Sequence, residues 1–326
     1  KKALSVITAL LLLSGTLCSC FAAEKEGVQS AIVSEAPVSN YVVRGDIIKE
    51  NYALSREAAT EGIVLLENDG ALPLAKSDSV TLFGIGSKRL IKGGSGSGLI
   101  YTKYFASLID GMSNAEKAGL ITLNAGLNEA YEVHYAAWLE EYKDLSDIAR
   151  ESKEISELAL TDEQVAEARA ASNTAIYTIS RVSGEGGDRE AVKGDYYISD
   201  VEAANLAKID AAGFDKFIVI LNAGTAVDTS FINDYQNIDA LVFAWLPGLE
   251  GGNALADILC GEVNPSGKLV DTLAKSFDDY PSSKSFYESN AYVNYSEDIY
   301  VGYRYFETFD PKYEKVNYCF GYGMSY

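Results

Sequence analysis

Apolar residues along this chain gather in short runs set between longer polar and amphipathic stretches. The runs "SVTLFGIGS", "NTAIYTISR", "KFIVILNAG" and "IDALVFAWLPG" are rich in β-branched and aromatic residues, and loops containing glycine follow them. Runs apolar on both pleat faces predict strands covered from both sides, the habit of a parallel sheet. Between them lie helical patterns. "VEAANLAKIDAAG" opens on Ser199-Asp200-Val201-Glu202, a capping box, and Gly213 can close it. "NYALSREAATEGIVLLEN" carries helical spacing through Ile63 and Val64 and predicts a helix ending near the turn signal Asn68-Asp69-Gly70. The polar stretch 114–171 predicts a helical layer inserted into the same domain. Strands alternating with helices give an α/β fold, a mostly parallel sheet sandwiched between helices. Ligands of such sheets bind at the carboxyl ends of the strands, which singles out loops 84–98, 181–188, 222–228 and 247–253.

The first residues follow a different pattern. Lys1 and Lys2 precede the apolar run "ALSVITALLLL" and the small-residue exit "SGTLCSCFAAEKEG", which reads as an export signal over 1–23. Leu17-Cys18-Ser19-Cys20 resembles a bacterial lipobox in which Cys20 would carry lipid, with cleavage near Ala22 or Ala23 as the alternative. The expected location is therefore secreted, periplasmic or lipid-anchored at the envelope. Residues 24–45 read as a leader, and the folded domain as 46–326. Cys260 and Cys319 sit in apolar contexts and read as buried thiols rather than a disulfide framework.

Composition narrows the partners. With 326 residues, 48% apolar and 23% charged, the chain can bury a substantial core. Its 47 acidic against 27 basic residues give a formal charge of −20, a field that repels nucleic acid and anionic membrane surfaces. Neutral substrates fit that field better. The lone His134 lies in a helical segment, no Gly-x-Ser-x-Gly elbow occurs, and no cysteine, histidine or EF-hand spacing suggests a metal. No metal or cofactor is expected. "GIGSKR" resembles a dinucleotide fingerprint but has Arg89 in place of the third glycine. "KGGSGSG", with Gly94, Ser95 and Gly96, lacks the ending of a phosphate loop; it reads as a linker or as backbone that must approach a ligand closely.

Carboxylates remain. In "TISRVSGEGGDRE", Glu185 stands between Gly184 and Gly186, with Arg181, Asp188 and Arg189 close enough to set local charge. Glycines on both sides would let the chain turn sharply and a ligand approach. A surface loop in which Glu185 merely pairs with an arginine is the open alternative.

"REAATEGIVLLENDGALPL", "GGSGSG", "SRVSGEGGDR", "AWLPGLEGGNALADILCGEVNPSGKL" and "YVGYRYFETF…FGYGMSY", in this order, resemble glycoside hydrolase family 3, the β-glucosidase-type family. All five motifs match its α/β sandwich domain. The resemblance implies that Glu185 is the general acid/base, and that Arg181, Ser183, Gly184, Gly186, Asp188, Arg189, Gly94, Ser95 and Gly96 line or position the cleft. It implies a β-linked oligosaccharide or aryl glycoside as substrate. The family's (β/α)8 barrel, which normally carries the aspartate nucleophile, is absent from this sequence. An export signal directly before the sandwich resembles members with reversed domain order, in which a fibronectin-type domain and then the barrel would lie beyond Tyr326. The chain then reads as the acid/base part of a longer enzyme, inactive alone; a non-catalytic carbohydrate- or partner-binding protein on the same fold is the alternative. The Tyr-rich end from Tyr300 to Tyr326 is expected mainly in the core.

Overall fold

The computed structural model describes residues 45–326 other than 100, 101, 103, 186 and 287. The export signal, the lipobox, nearly all of the leader and Gly186 lie outside the described residues. The chain divides into a unit through Asn51, whose described part is the start of helix α1 (Gly45–Gly62), and a unit from Tyr52 to Tyr326.

The centre of the second unit is a six-stranded sheet. The strands are β1 (Val64–Asn68), β2 (Ser79–Phe83), β3 (Thr122–Asn124), β4 (Thr174–Arg181), β5 (Lys216–Ala223) and β6 (Ala240–Phe243), in spatial order β1-β6-β5-β4-β2-β3. All neighbours are parallel except β1, which runs antiparallel to β6. Helix α1 thus stops at Gly62, and Val64 opens a strand. This corrects the reading of one continuous helix: Ile63, Val64, Leu65 and Leu66 are all fully buried, which suits an edge strand covered on both faces better than a helix stripe.

Alternation along the strands splits the core into two layers. On one face Ala175, Tyr177 and Ile179 of β4 join Phe217, Val219 and Leu221 of β5 and Leu241 and Phe243 of β6. Helices α3 (Asn128–Glu141), α5 (Asp162–Ala171) and α6 (Asp200–Ala212) cover this face through Tyr131, Val165, Leu206 and Ile209. On the other face Ile176, Ile218, Ile220 and Val242 pack under α2 (Leu108–Lys117) and α7 (Gly251–Leu259). Those two helices touch backbone to backbone. A Cβ on Gly252 would lie 1.8 Å from the Ser107 carbonyl oxygen, so no other residue fits there without moving a helix.

The expected helical layer at 114–171 is present as the end of α2, α3, the short α4 (Asp147–Glu151) and α5. It also contains β3, which pairs with β2 at the sheet edge. Side-chain caps start α2, α5 and α6. Ser107, Thr161 and Ser199 each accept from the backbone amide three residues on, and Asp110, Gln164 and Glu202 return the bond in full capping boxes. Gly213 ends α6 in the left-handed conformation, with φ 66°.

The aromatic C-terminal segment departs from expectation. Phe306 and Tyr318 are buried, and β8 (Val316–Tyr318) pairs with β7 (Leu273–Ala274), but Tyr300, Tyr303, Phe309, Tyr313, Phe320 and Tyr326 are exposed. Short local elements cannot enclose so many large rings. Cys260 and Cys319 are free and half-buried. No described helix is long and apolar enough to cross a membrane.

Candidate active site

Because β2, β4, β5 and β6 run parallel, their carboxyl ends share one edge of the sheet, and the loops singled out by the sequence emerge there together. Two of these loops are stitched to each other. Ser95 N donates to the Ser183 carbonyl at 2.9 Å, and residues 95 and 184 form a parallel bridge. Gly184 in turn bridges Gly187, so Glu185 stands at the tip of a tight hairpin. Glycine is required on both sides of the seam: a Cβ on Gly184 would fall 2.1 Å from Ser95 Oγ, and one on Gly96, at φ 68°, would fall 2.6 Å from Glu185 Cβ. Gly94 lies alongside, its Cβ position 3.6 Å from the Ser183 carbonyl oxygen.

Glu185 is fully exposed on this tip. Its Oε2 accepts from Ser97 N at 2.7 Å and from the Ser97 hydroxyl. Those two bonds, the hydroxyl's first, hold the carboxyl below the usual glutamate range. In the open loop Glu185 is therefore a carboxylate that can accept a proton but does not keep one at neutral pH.

Arg189 straps the hairpin to the neighbouring strand. Its guanidinium donates to the Val182 carbonyl, to Ser183 Oγ at 3.0 Å, to Thr225 Oγ1 at 3.1 Å and to Asp195. Ser183 Oγ also accepts from Gly224 N at 3.0 Å, tying the same point to the end of β5. Asp188 is exposed beside Arg189.

Arg181 is placed differently from the expectation of a cleft-lining group. Its side chain is buried and paired with Glu202 at 2.7 Å, and it also donates to the carbonyls of Asp195 at 2.9 Å and Ser180 at 3.0 Å. The reason is the pleat. Residue 181 shares a strand face with Tyr177 and Ile179, and that face lies under α6, which carries Glu202.

Asn222, near the end of β5, escaped the sequence reading as a named residue. It is fully buried, and both ends of its amide are used. Oδ1 accepts from Ile91 N at 2.6 Å and Ser180 Oγ at 2.9 Å, while Nδ2 donates to the carbonyls of Ile91 at 3.0 Å and Trp245 at 2.6 Å. One side chain thereby ties the loops after β2 and β6, and the end of β4 at Ser180, to β5. Trp245 is held at φ 51°, a strained value for a bulky residue. The signal was in the sequence: an asparagine closing the apolar run "KFIVILNA".

Burial pushes the Glu157 carboxyl up to about 7, against the pull of the Ile85 amide that donates to it at 3.0 Å. The "GIGSKR" segment is used for packing. A Cβ on Gly86 would lie 2.4 Å from Ser180 Oγ, and Arg89 is buried, donating to the Lys153 carbonyl at 2.9 Å with its guanidinium 4.2 Å from the Trp138 ring centre. Among the described residues no group of three metal-ligating side chains occurs.

The sequence pattern of the glycosyl hydrolase family 3 C-terminal domain matches residues 63–326. Beta-glucosidase A of Butyrivibrio fibrisolvens is 40% identical over 301 residues, which is 85% of this chain and 35% of that protein. A beta-glucosidase of Ruminococcus albus is 38% identical over 83% of this chain and 28% of its own length. Among solved structures, a beta-glucosidase from Paenibacillus barengoltzii superposes with a TM-score of 0.76 at 40% identity, covering 85% of this chain and 30% of that one. Beta-glucosidase 3B from Thermotoga neapolitana, solved with glucose, gives 0.75 at 35% identity over 86% and 38%. The chain spans about a third of the length of these relatives.

Proposed function

The chain belongs to glycoside hydrolase family 3, and from that premise we propose that it is the acid/base domain of an exported β-glucosidase-like enzyme, with Glu185 as the proton donor and acceptor. The observation that carries this reading is the placement of Glu185: an exposed carboxylate on a glycine hairpin, at the ligand-binding edge of the sheet, with its loop fixed by Ser95, Arg189 and Ser183.

Retaining hydrolysis uses two carboxyl groups about 5–5.5 Å apart, one attacking the anomeric carbon and one protonating the leaving oxygen and then activating water. Glu185 supplies the second. The attacking aspartate is assigned to a (β/α)8 barrel outside this sequence, so the chain alone does not hydrolyse glycosides. Opposition to a second carboxylate in a water-poor cleft raises a carboxyl pKa, and that is what Glu185 needs to start as an acid. The substrate class is a terminal β-linked sugar, and export proceeds through segment 1–23, the product being either lipid-anchored at Cys20 or released by cleavage near Ala22 or Ala23.

A chimera tests the central assignment. The matching third of the Butyrivibrio relative is exchanged for residues 46–326 of this chain, and hydrolysis of an aryl β-glucoside is measured. Activity is expected, with a severe loss in Glu185→Ala that azide partly restores by taking the place of the base-activated water. A chimera equally active with Glu185→Gln overturns the role of Glu185, and rapid hydrolysis by the chain alone overturns the need for a second domain.

A further inference from the structure

Next to the Glu185 hairpin lies a pocket of about 260 Å³ that no step above uses. Gly187, the residue bridged to Gly184, forms part of its wall, and Arg189 lines it while strapping the hairpin from behind. The opposite wall comes from segment 271–286. Phe277 opens a 3-10 turn, capped by Ser276, and Tyr280 follows. Edge-to-face packing holds these rings: Tyr196 meets Phe277 at 5.2 Å, Tyr280 meets Phe306 at 6.0 Å, and the Tyr280 hydroxyl accepts from Ala274 N at 3.1 Å. The walls are therefore preformed.

We infer that this pocket receives the leaving group's first sugar ring, a neutral hexose, while Glu185 protonates the oxygen that joins it to the departing bond. The inference rests on the acid/base reading of Glu185. A proton donor must touch the glycosidic oxygen, so the group beyond that oxygen lies against the donor's own loop, and Gly187 of that loop borders the pocket.

Its chemistry matches a pyranose. Such a ring presents apolar C–H faces and a rim of hydroxyls; the pocket is lined by the aromatic residues Phe277 and Tyr280 and by the polar residues Asp188, Arg189, Asp271 and Ser283. Tyr196, whose enclosed hydroxyl lies against Tyr280, backs the Phe277 wall. The two carboxylates accept from hydroxyls and disfavour an acidic sugar. At its size, below the usual range of about 300–1,000 Å³ for ligand sites, it holds one ring and not two.

The test is binding to the full chain, which needs no barrel. Titration with glucose, cellobiose and glucuronic acid is followed by amide chemical shifts. Saturable shifts at Gly187, Phe277 and Ser283 are expected with glucose and cellobiose and not with glucuronic acid. Phe277→Ala should weaken binding about tenfold, the worth of one well-placed ring. Ser283→Trp, which fills the pocket from a loop, should abolish binding with the amide spectrum otherwise retained, and it decides the matter if Phe277→Ala does not fold. Absence of saturation, equal binding of glucuronic acid, or binding that survives Ser283→Trp overturns the inference. Pocket binding lost while the chimera still depends on Glu185 refutes the pocket alone; pocket binding kept while the chimera ignores Glu185→Gln refutes the acid/base reading alone.

Discussion

Ser97 N donates to Glu185 Oε2 at 2.7 Å across 88 residues of chain, and the Ser97 hydroxyl donates to the same oxygen. Both bonds favour the charged carboxylate, so each lowers the pKa of Glu185. Ser97→Ala removes the hydroxyl and keeps the amide. The Glu185 titration midpoint, followed by carbon-13 NMR of the side-chain carboxyl, should move up toward the ordinary glutamate value without reaching it. An unchanged midpoint would mean that the hydroxyl does not act on the carboxylate in solution.

The pair of Arg181 and Glu202 predicts a stability effect. Both side chains are enclosed, with exposures of 7% and 6%. Burial alone would push the Glu202 carboxyl up; the Arg181 hydrogen bonds overcome it and hold the carboxyl below its usual range. The stabilisation it brings is therefore present above the unfolded glutamate pKa, about 4.5, and is lost as pH falls through the lower folded value. Glu202→Gln leaves a buried guanidinium uncompensated and should cost roughly 3–5 kcal/mol in urea denaturation at pH 7. The double variant Arg181→Met/Glu202→Leu should recover most of that loss, and a mild effect of Glu202→Gln would show that water reaches the pair.

Glu157 predicts the opposite pH slope. Burial raises its carboxyl to about 7, so the folded state binds a proton that the unfolded chain releases near 4.5. Stability from this group is full below about 4.5 and falls as pH rises toward and past 7. After solvent screening of a half-buried side chain the change is on the order of 2 kcal/mol. Glu157→Gln, whose carbonyl still accepts from the Ile85 amide, should flatten the profile and unfold later than the parent at pH 8. A parent profile already flat between pH 5 and 8 would refute the assignment.

How far these features could be read beforehand depended on the range of the interaction that creates them. The central strands were legible because Tyr177, Val219 and Val242 sit in runs apolar on both faces, a pattern no exposed loop sustains. Strand β1 was not, since its pairing partner β6 lies far along the chain and "EGIVLLEN" continues the helical spacing before it. The glycines around Glu185 announced a special loop, but the Ser95 to Gly184 bridge that makes them necessary joins segments remote in sequence. Arg181 was misplaced for a local reason that alternation could have supplied: it falls in step with Ile179 and Tyr177, on the covered face.

The same reasoning gives Asn222 a measurable influence on a carboxylate it does not touch. Its amide holds Ile91 by both backbone atoms, and Ile91 leads directly into the Gly93 to Ser97 loop that binds Glu185. Asn222→Ala would leave the Ile91 amide, the Trp245 carbonyl and Ser180 Oγ without this partner in a buried site. Unfolding stability should drop by roughly 2–4 kcal/mol, as expected for stranded buried polar groups. A loss of stability alone would not distinguish Asn222 from any core residue. The discriminating readout is again the Glu185 titration: with Ile91 released, Ser97 is presented less often, and the midpoint should rise as it does in Ser97→Ala. Asn222→Asp keeps the acceptor for Ile91 N and loses both donors, so its midpoint should fall between those of the parent and Asn222→Ala. If the midpoint stays at the parent value while Ile91 amide exchange accelerates, the two loops are joined by their own seam at Ser95 and Gly184, and Asn222 serves the sheet only.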